Sequence, residues 1–269
     1  MRWGPCLLLA MSTVTPHAMA QGLDVPTATV EQLRRYTECM NLARREPARV
    51  LPAAEKWLAE GGGMGARHCV AIATLESGRH AQAAALLEAI ARDMGQERPG
   101  LRAELWVQAG QAWLDAGQAT NAVTAQSRAL ELKSNDADLW IDRGLSYAAQ
   151  RAWPQAIADF DRAVGLDSNS VEALVLRAAA WRNAGDSAKA LIDAGRALKM
   201  APEHSEALLE RGFALLARGD RQTASADFAK VLKLVPPGSD AARRADSGLR
   251  GELPSAATPA PAAKGDRKR

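Results

Sequence analysis

The stretch ADLWIDRGLSYAAQRAWPQAIADFDRAVGLDSNS, residues 137–170, decides the architecture, because the chain repeats its plan on both sides. Segments 103–136, 171–204 and 205–238 have the same length, 34 residues, abut without a gap, and carry matching residues at matching offsets. A fixed period of that size is the signature of stacked helical pairs. It also leaves no stretch outside the array large enough for an ordinary catalytic domain.

The matching columns show how each unit folds. Offset four holds Trp106, Trp140, Leu174 and Leu208; offset eight holds Gly110, Gly144, Ala178 and Gly212; offset eleven holds Trp113, Tyr147, Trp181 and Leu215. Large, small and large groups at that spacing fall on one stripe of a first helix. Ala122, Ala156, Ala190 and Ala224 at offset twenty share a stripe of a second helix with Ala129, Ala163, Ala197 and Val231 at offset twenty-seven. Small residues at offsets eight and twenty let the two backbones approach. Phe160 and Phe228 stand at offset twenty-four, where the other two units have Gln126 and Ala194. Gly117, Gly185 and Gly219 at offset fifteen mark the turn between helices. Pro202 and Pro236 at offset thirty-two end the second helix.

At these residues the chain resembles the tetratricopeptide repeat (TPR) family, whose W-x-x-L-G-x-x-Y … A … F … A … P signature reads here as Trp140, Gly144, Tyr147, Ala156, Phe160 and Ala163 in the best unit. The resemblance covers 103–238 and implies an all-α, right-handed solenoid of antiparallel helix-turn-helix repeats with a concave groove. Residues 21–102 read as degenerate repeats: helices over Thr29–Arg45 and Pro52–Glu60, a pair over 64–94, then an insertion from Gln96 to Gly100. Ser239–Arg250 reads as the polar closing helix that such arrays need over their last apolar face.

The ends have their own character. Met1–Ala20 reads as a secretory signal, with Arg2, a short apolar run Cys6–Met11 and Ala18-Met19-Ala20 as cleavage site. Its removal leaves Cys39 and Cys69, two cysteines that pair most simply in an oxidising compartment and would staple the degenerate end. Two buried free thiols, or a zinc site built from Cys39, His68 and Cys69, are the alternatives. The tail 251–269 is rich in Pro and Ala, ends in a basic cluster and reads as disordered. Arg2, Lys264, Arg267, Lys268 and Arg269 account for five of the 34 basic residues, and Glu252 and Asp266 for two of the 31 acidic ones. The body between them is therefore neutral, which argues against nucleic acid as a partner.

Catalytic patterns are missing from the sequence. Gly61–Ala66 superficially matches a dinucleotide-binding turn, but a helix precedes it where that motif needs a strand. His17, His68, His80 and His204 are scattered, and no P-loop, G-x-S-x-G or H-E-x-x-H occurs. No enzyme activity, cofactor or metal is expected. Arg143, Arg177 and Arg211 at offset seven recur with Asp159, Asp193 and Asp227 at offset twenty-three, and the first unit lacks both. That joint presence points to ion pairs within or between units, in preference to an anion-binding ladder.

In the TPR family the concave face is lined by first-helix offsets two, five, six, nine, twelve and thirteen. The resemblance therefore assigns a partner groove to Val107, Ile141, Val175 and Leu209, with Gln111, Leu145 and Phe213. Glu104, Asp138, Glu172 and Glu206, with Asp142 and Glu210, would give it an acidic rim, although acidic first-turn residues also suit the helix dipole. The chain's own N-terminal helices could equally fill this groove. The reading that results is an exported, periplasmic bacterial scaffold binding an amphipathic or extended polypeptide, with no nucleic acid, metal or transmembrane segment expected in the mature chain. The alternative is an assembly or regulatory subunit of a cell-envelope biogenesis enzyme, acting through the convex face or the tail.

Overall fold

The computed structural model describes residues 29–253; the expected signal 1–20, with Cys6, and the tail beyond Leu253 lie outside them. Among the described residues there are thirteen helices and no strand. None of the helices is long and apolar enough to cross a membrane. Two compact units divide at Ala112 and Trp113, within α5 (Pro99–Asp115).

The N-terminal unit contains α1 (Val30–Ala43), α2 (Pro47–Ala59), α3 (Gly63–Glu76) and α4 (His80–Asp93). Helix α3 is its centre, packed by α1, α2 and α4, and it is the most completely buried, from Cys69 to Thr74 without a break. Two boundaries differ from the sequence reading. Helix α2 begins at Pro47, not Pro52, because Pro47 sits at the first position where its missing N–H costs nothing. Pro52 is then carried inside the helix, leaving the Ala48 carbonyl without its bond. Helix α5 begins at Pro99, so the last part of the expected 96–100 insertion is helical.

The C-terminal unit is a row of pairs: α6 (Ala119–Leu132), α7 (Ala137–Ala149), α8 (Trp153–Leu166), α9 (Val171–Asn183), α10 (Ser187–Met200), α11 (Ser205–Ala217), α12 (Arg221–Leu234) and α13 (Asp240–Leu249). Each helix packs on the next, and the first helices also meet one another, α9 on α11 and α11 on α13. Every first helix has a side-chain cap: Asp136, Ser170, His204 through Nδ1, and Ser239 accept from the opening backbone N–H groups.

Within a repeat the helices touch through a ring laid on a bare backbone. A Cβ on Gly144 would lie 2.5 Å from the Phe160 ring, and one on Gly212 would lie 2.6 Å from the Phe228 ring. The third repeat reverses both sizes, with Ala178 facing the position of Ala194, and both are fully buried. Ala156, Ala190 and Ala224 on the second helices are likewise buried. Trp140 is fixed at its edge by its Nε1–H to the Ser134 carbonyl, 2.8 Å, and on its face by the Arg143 guanidinium. Trp106 packs under Arg92, and Trp181 carries the Lys189 ammonium.

Each of the three repeats from 137 onward has one fork-to-fork ion pair between its two helices. Arg143 Nε and Nη2 donate to Asp159 at 2.8 Å, Arg177 to Asp193 at 2.7 Å, and Arg211 to Asp227 at 2.7 and 2.6 Å. The aspartates are buried, so these bidentate pairs satisfy carboxylates that the packing has taken from water. The remaining guanidinium nitrogen reaches back one repeat, from Arg143 to the Ser127 hydroxyl and from Arg177 to Asp161. At the next step the matching position is Gly195, which offers no side chain.

The turn glycines Gly117, Gly185 and Gly219 adopt φ of 73°, 90° and 86°. In the second repeat the same position is Arg151, with φ 57°, the only left-handed non-glycine among the described residues. Holding an L side chain there costs about 1 kcal/mol. Arg151→Gly should therefore raise the free energy of unfolding by about 1 kcal/mol, less the entropy that glycine returns to the unfolded chain. Urea denaturation of the two proteins checks it, and a less stable variant contradicts the strain.

Candidate functional site

The structure corrects the expected groove. Val107, Ile141, Leu145, Val175, Leu209 and Phe213 are all buried, Leu209 and Phe213 completely. Around Val175, Leu209 and Phe213 the cause is the direct contact of α9 on α11 and of α11 on α13. These side chains are core. Gln111 is exposed, while Asp142 is buried. Glu210, placed on the rim by the sequence reading, is 3% exposed. Its oxygens accept from Arg182 Nε at 2.7 Å and Arg244 Nη2 at 2.9 Å.

What the first helices leave open is smaller and more polar. On α9 it consists of Leu176, Ala179 and Asn183, each half-buried. Asp138, Glu172 and Glu206 stand half-buried beside it at offset two, and Glu206 accepts from Arg244 Nη1 at 2.7 Å. On the opposite side, the second helices expose Leu166, Ile192, Met200 and Leu234. A basic column at offset twenty-six, visible in the sequence but passed over, does structural work there. Arg196 donates to the Ser168 carbonyl, Lys230 to the Pro202 carbonyl, and Arg162 lies over the Trp140 ring.

The N-terminal unit holds a buried polar chain that the sequence reading missed. The Tyr36 hydroxyl lies 2.9 Å from His68 Nδ1, and His68 Nε2 lies 3.0 Å from Gln108 Oε1. The amide oxygen can only accept, so Nε2 carries the proton and Nδ1 receives the Tyr36 O–H. Both ring nitrogens of His68 are thereby engaged, and the side chain is 1% exposed. The zinc alternative would need one of them. Burial pushes the His68 pKa down, partly offset by its bond to Gln108, and burial pushes the Tyr36 phenol up. Next to this chain the sulfurs of Cys39 on α1 and Cys69 on α3 lie at bonding distance, with Cα atoms 6.0 Å apart. They form the floor of a cleft of about 350 Å³ walled by Leu42, Val50 and Trp57 and rimmed by Arg34 and Arg49. Among the described residues no three His, Cys, Asp or Glu side chains converge on a common point.

A family model for the tetratricopeptide repeat matches residues 141–202. Residues 141–202 thus carry the tetratricopeptide repeat pattern. The fold is similar to that of solved TPR proteins at low identity. The crystal structure of MamA is 18% identical, with a TM-score of 0.54 over 61% of this chain and 93% of MamA. YrrB, described as a TPR protein with an unusual peptide-binding site, is 18% identical, with a TM-score of 0.54 over 69% of this chain and 91% of YrrB. The C-terminal part of a TPR repeat-containing protein from Cytophaga hutchinsonii is 15% identical, with a TM-score of 0.64 over 79% of this chain and 85% of that one. Similarities of this size show a common TPR fold. No curated protein matches the chain.

His68 gives the protein a pH signature. With its folded pKa below the ordinary imidazole value of about 6.5, the unfolded chain takes up the proton first. The contribution is therefore complete above about pH 6.5 and is lost as pH falls below it, by at most about 1.4 kcal/mol per pH unit. Urea midpoints measured between about pH 7.5 and 5 should fall in the native chain and fall less in His68→Gln. Equal slopes in the two proteins would contradict the buried neutral imidazole.

Proposed function

We propose that the chain is a non-catalytic scaffold that holds a segment of another polypeptide against its first-helix face. The observation that carries this reading is the open strip of Leu176, Ala179 and Asn183 beside the carboxylates of Asp138 and Glu172. That strip offers one apolar anchor, room for a backbone over a small residue, and the Asn183 amide, which spends one N–H on the Ala179 carbonyl at 2.8 Å and keeps a second for a ligand. The carboxylates favour a segment with basic neighbours. YrrB, of similar fold, is a TPR protein with a peptide-binding site. The anchors are thus Leu176 and its neighbours, not the buried Ile141 and Leu209.

A specific observation favours a second reading, contact through the second helices in a larger envelope assembly: Ile192 is 63% exposed and stands near a repeating apolar edge of Leu166, Met200 and Leu234. A photoreactive amino acid placed singly at Leu176 or at Ile192 in the full chain, expressed in its own cell, separates the two. The scaffold reading expects a discrete cross-linked polypeptide from position 176, lost when Glu172→Lys is added. Cross-links from 192 alone would replace it with the second reading.

We also propose that the protein works after export, in an oxidising compartment, with Cys39 and Cys69 bonded. The signal-like Met1–Ala20 and the closeness of the two sulfurs support this. A bridge across 30 residues contributes on the order of 3 to 4 kcal/mol in the chain-entropy account. Mass spectrometry of protein from intact cells should find a chain beginning at Gln21 that takes up alkylating agent only after reduction. A chain retaining Met1 with both thiols alkylated directly would end the proposal.

A further inference from the structure

The last helix, α13, closes the array without a partner helix of its own repeat. Its buried residues are Ala242, Ala245 and Gly248, which have little carbon of their own to hide, so the apolar surface at this junction is supplied by the Phe228 ring against Gly248. At ten residues it is shorter than a helix that persists alone in water. The segment before it, Pro236-Pro237-Gly238, is exposed, with Gly238 at φ 74°.

Its polar attachment to α11 is made by one side chain. Arg244 places Nη1 on Glu206 Oε2 at 2.7 Å and Nη2 on Glu210 Oε1 at 2.9 Å. Its guanidinium carbon lies 6.0 Å from the centre of the Phe213 ring, and that of Arg182 lies 5.7 Å from it. Glu210 is buried and bonded to both arginines. Beside this cradle the Phe228 ring admits only a bare backbone, because a Cβ on Gly248 would lie 2.4 Å from it. The surface on α11 and α12 is therefore shaped for one guanidinium and for a narrow helix with small residues two before, one after and four after the arginine.

We infer that this end of the array is a docking surface for an arginine-bearing helix of a partner polypeptide, which α13 occupies until displaced. The inference rests on the reading of the chain as a polypeptide-binding scaffold but uses a different surface from the Leu176 strip. Charge selects the occupant: with α13 away, Glu206 loses its cation and Glu210 keeps only Arg182, a combination that draws in another guanidinium. Shape then selects the helix, because Gly248 and the two alanines set how closely the backbone must approach. Any partner helix with the same spacing makes the same bonds, and larger apolar residues on its outer face can add to them.

The test uses the full chain and a fluorescent synthetic peptide of residues Ser239–Arg250. Gly248→Leu evicts α13 through Phe228 and leaves Glu206, Glu210 and Phe213 untouched. The peptide should bind the Gly248→Leu chain at least about tenfold more tightly than the native chain, and replacing its arginine equivalent to Arg244 by alanine should weaken it about tenfold or more. If Gly248→Leu fails to fold by circular dichroism, Arg244→Ala serves with the same readouts. Equal binding of the peptide lacking that arginine, or binding by neither chain, overturns the proposal. So does a Gly248→Leu chain that dimerises and excludes the peptide, because a second copy is then the occupant. Peptide binding without a cross-link at Leu176 keeps this site and discards the strip; a cross-link without peptide binding does the reverse.

Discussion

Everything in the regular half of the molecule depends on how closely two helix backbones can come together. A phenyl ring lies close against a glycine in the second and fourth repeats, Phe160 against Gly144 and Phe228 against Gly212. One added methyl group would force those helices apart. The third repeat keeps the spacing by splitting the volume, Ala178 against Ala194. The pairs are alternative solutions to one distance, and tight packing tolerates little departure from it. Closeness then propagates, because second helices set at that distance bring successive first helices into contact. Val175 and Leu209 are buried where α9 meets α11.

The same closeness explains where the charges went. An aspartate at offset twenty-three is pulled below the surface by its helix, and only a guanidinium reaching across can keep it bonded. The pairs Arg143–Asp159, Arg177–Asp193 and Arg211–Asp227 therefore accompany packing instead of adding a separate source of stability. Glu210 is the exception in position but not in principle, buried by α13 and satisfied from both sides.

Much of this was legible in the sequence because it recurs. Columns at offsets seven and twenty-three could be read as pairs, since the first unit lacks both members, and columns at eight and twenty as a close approach of two backbones, whereas the seating of Phe160 on Gly144 and Phe228 on Gly212 came from the structure. The groove was misjudged because family geometry tells which way a side chain points but not whether a neighbour closes over it. Whether Leu209 is wall or core depends on the gap between α9 and α11, a distance no column displays. The chain of Tyr36, His68 and Gln108 lay beyond reach for another reason: its members are 32 and 40 residues apart in the irregular part, where no period aligns them. Arg244 stands outside the last repeat, so no column included it. Arg151 shows the opposite case, a local preference overruled by the stack around it.

Gly195 breaks a pattern, and the break has a mechanical meaning. Arg143 and Arg177 each lash their own repeat to the one before, through Ser127 and Asp161, whereas the corresponding place for Arg211 is Gly195, which offers no side chain. In a linear array, cohesion is the sum of couplings between neighbours. The final hairpin is moored instead by Arg182 on Glu210 and by Lys230 on the Pro202 carbonyl. A glycine at position 195 therefore shifts the load at that joint to other side chains without unmooring it.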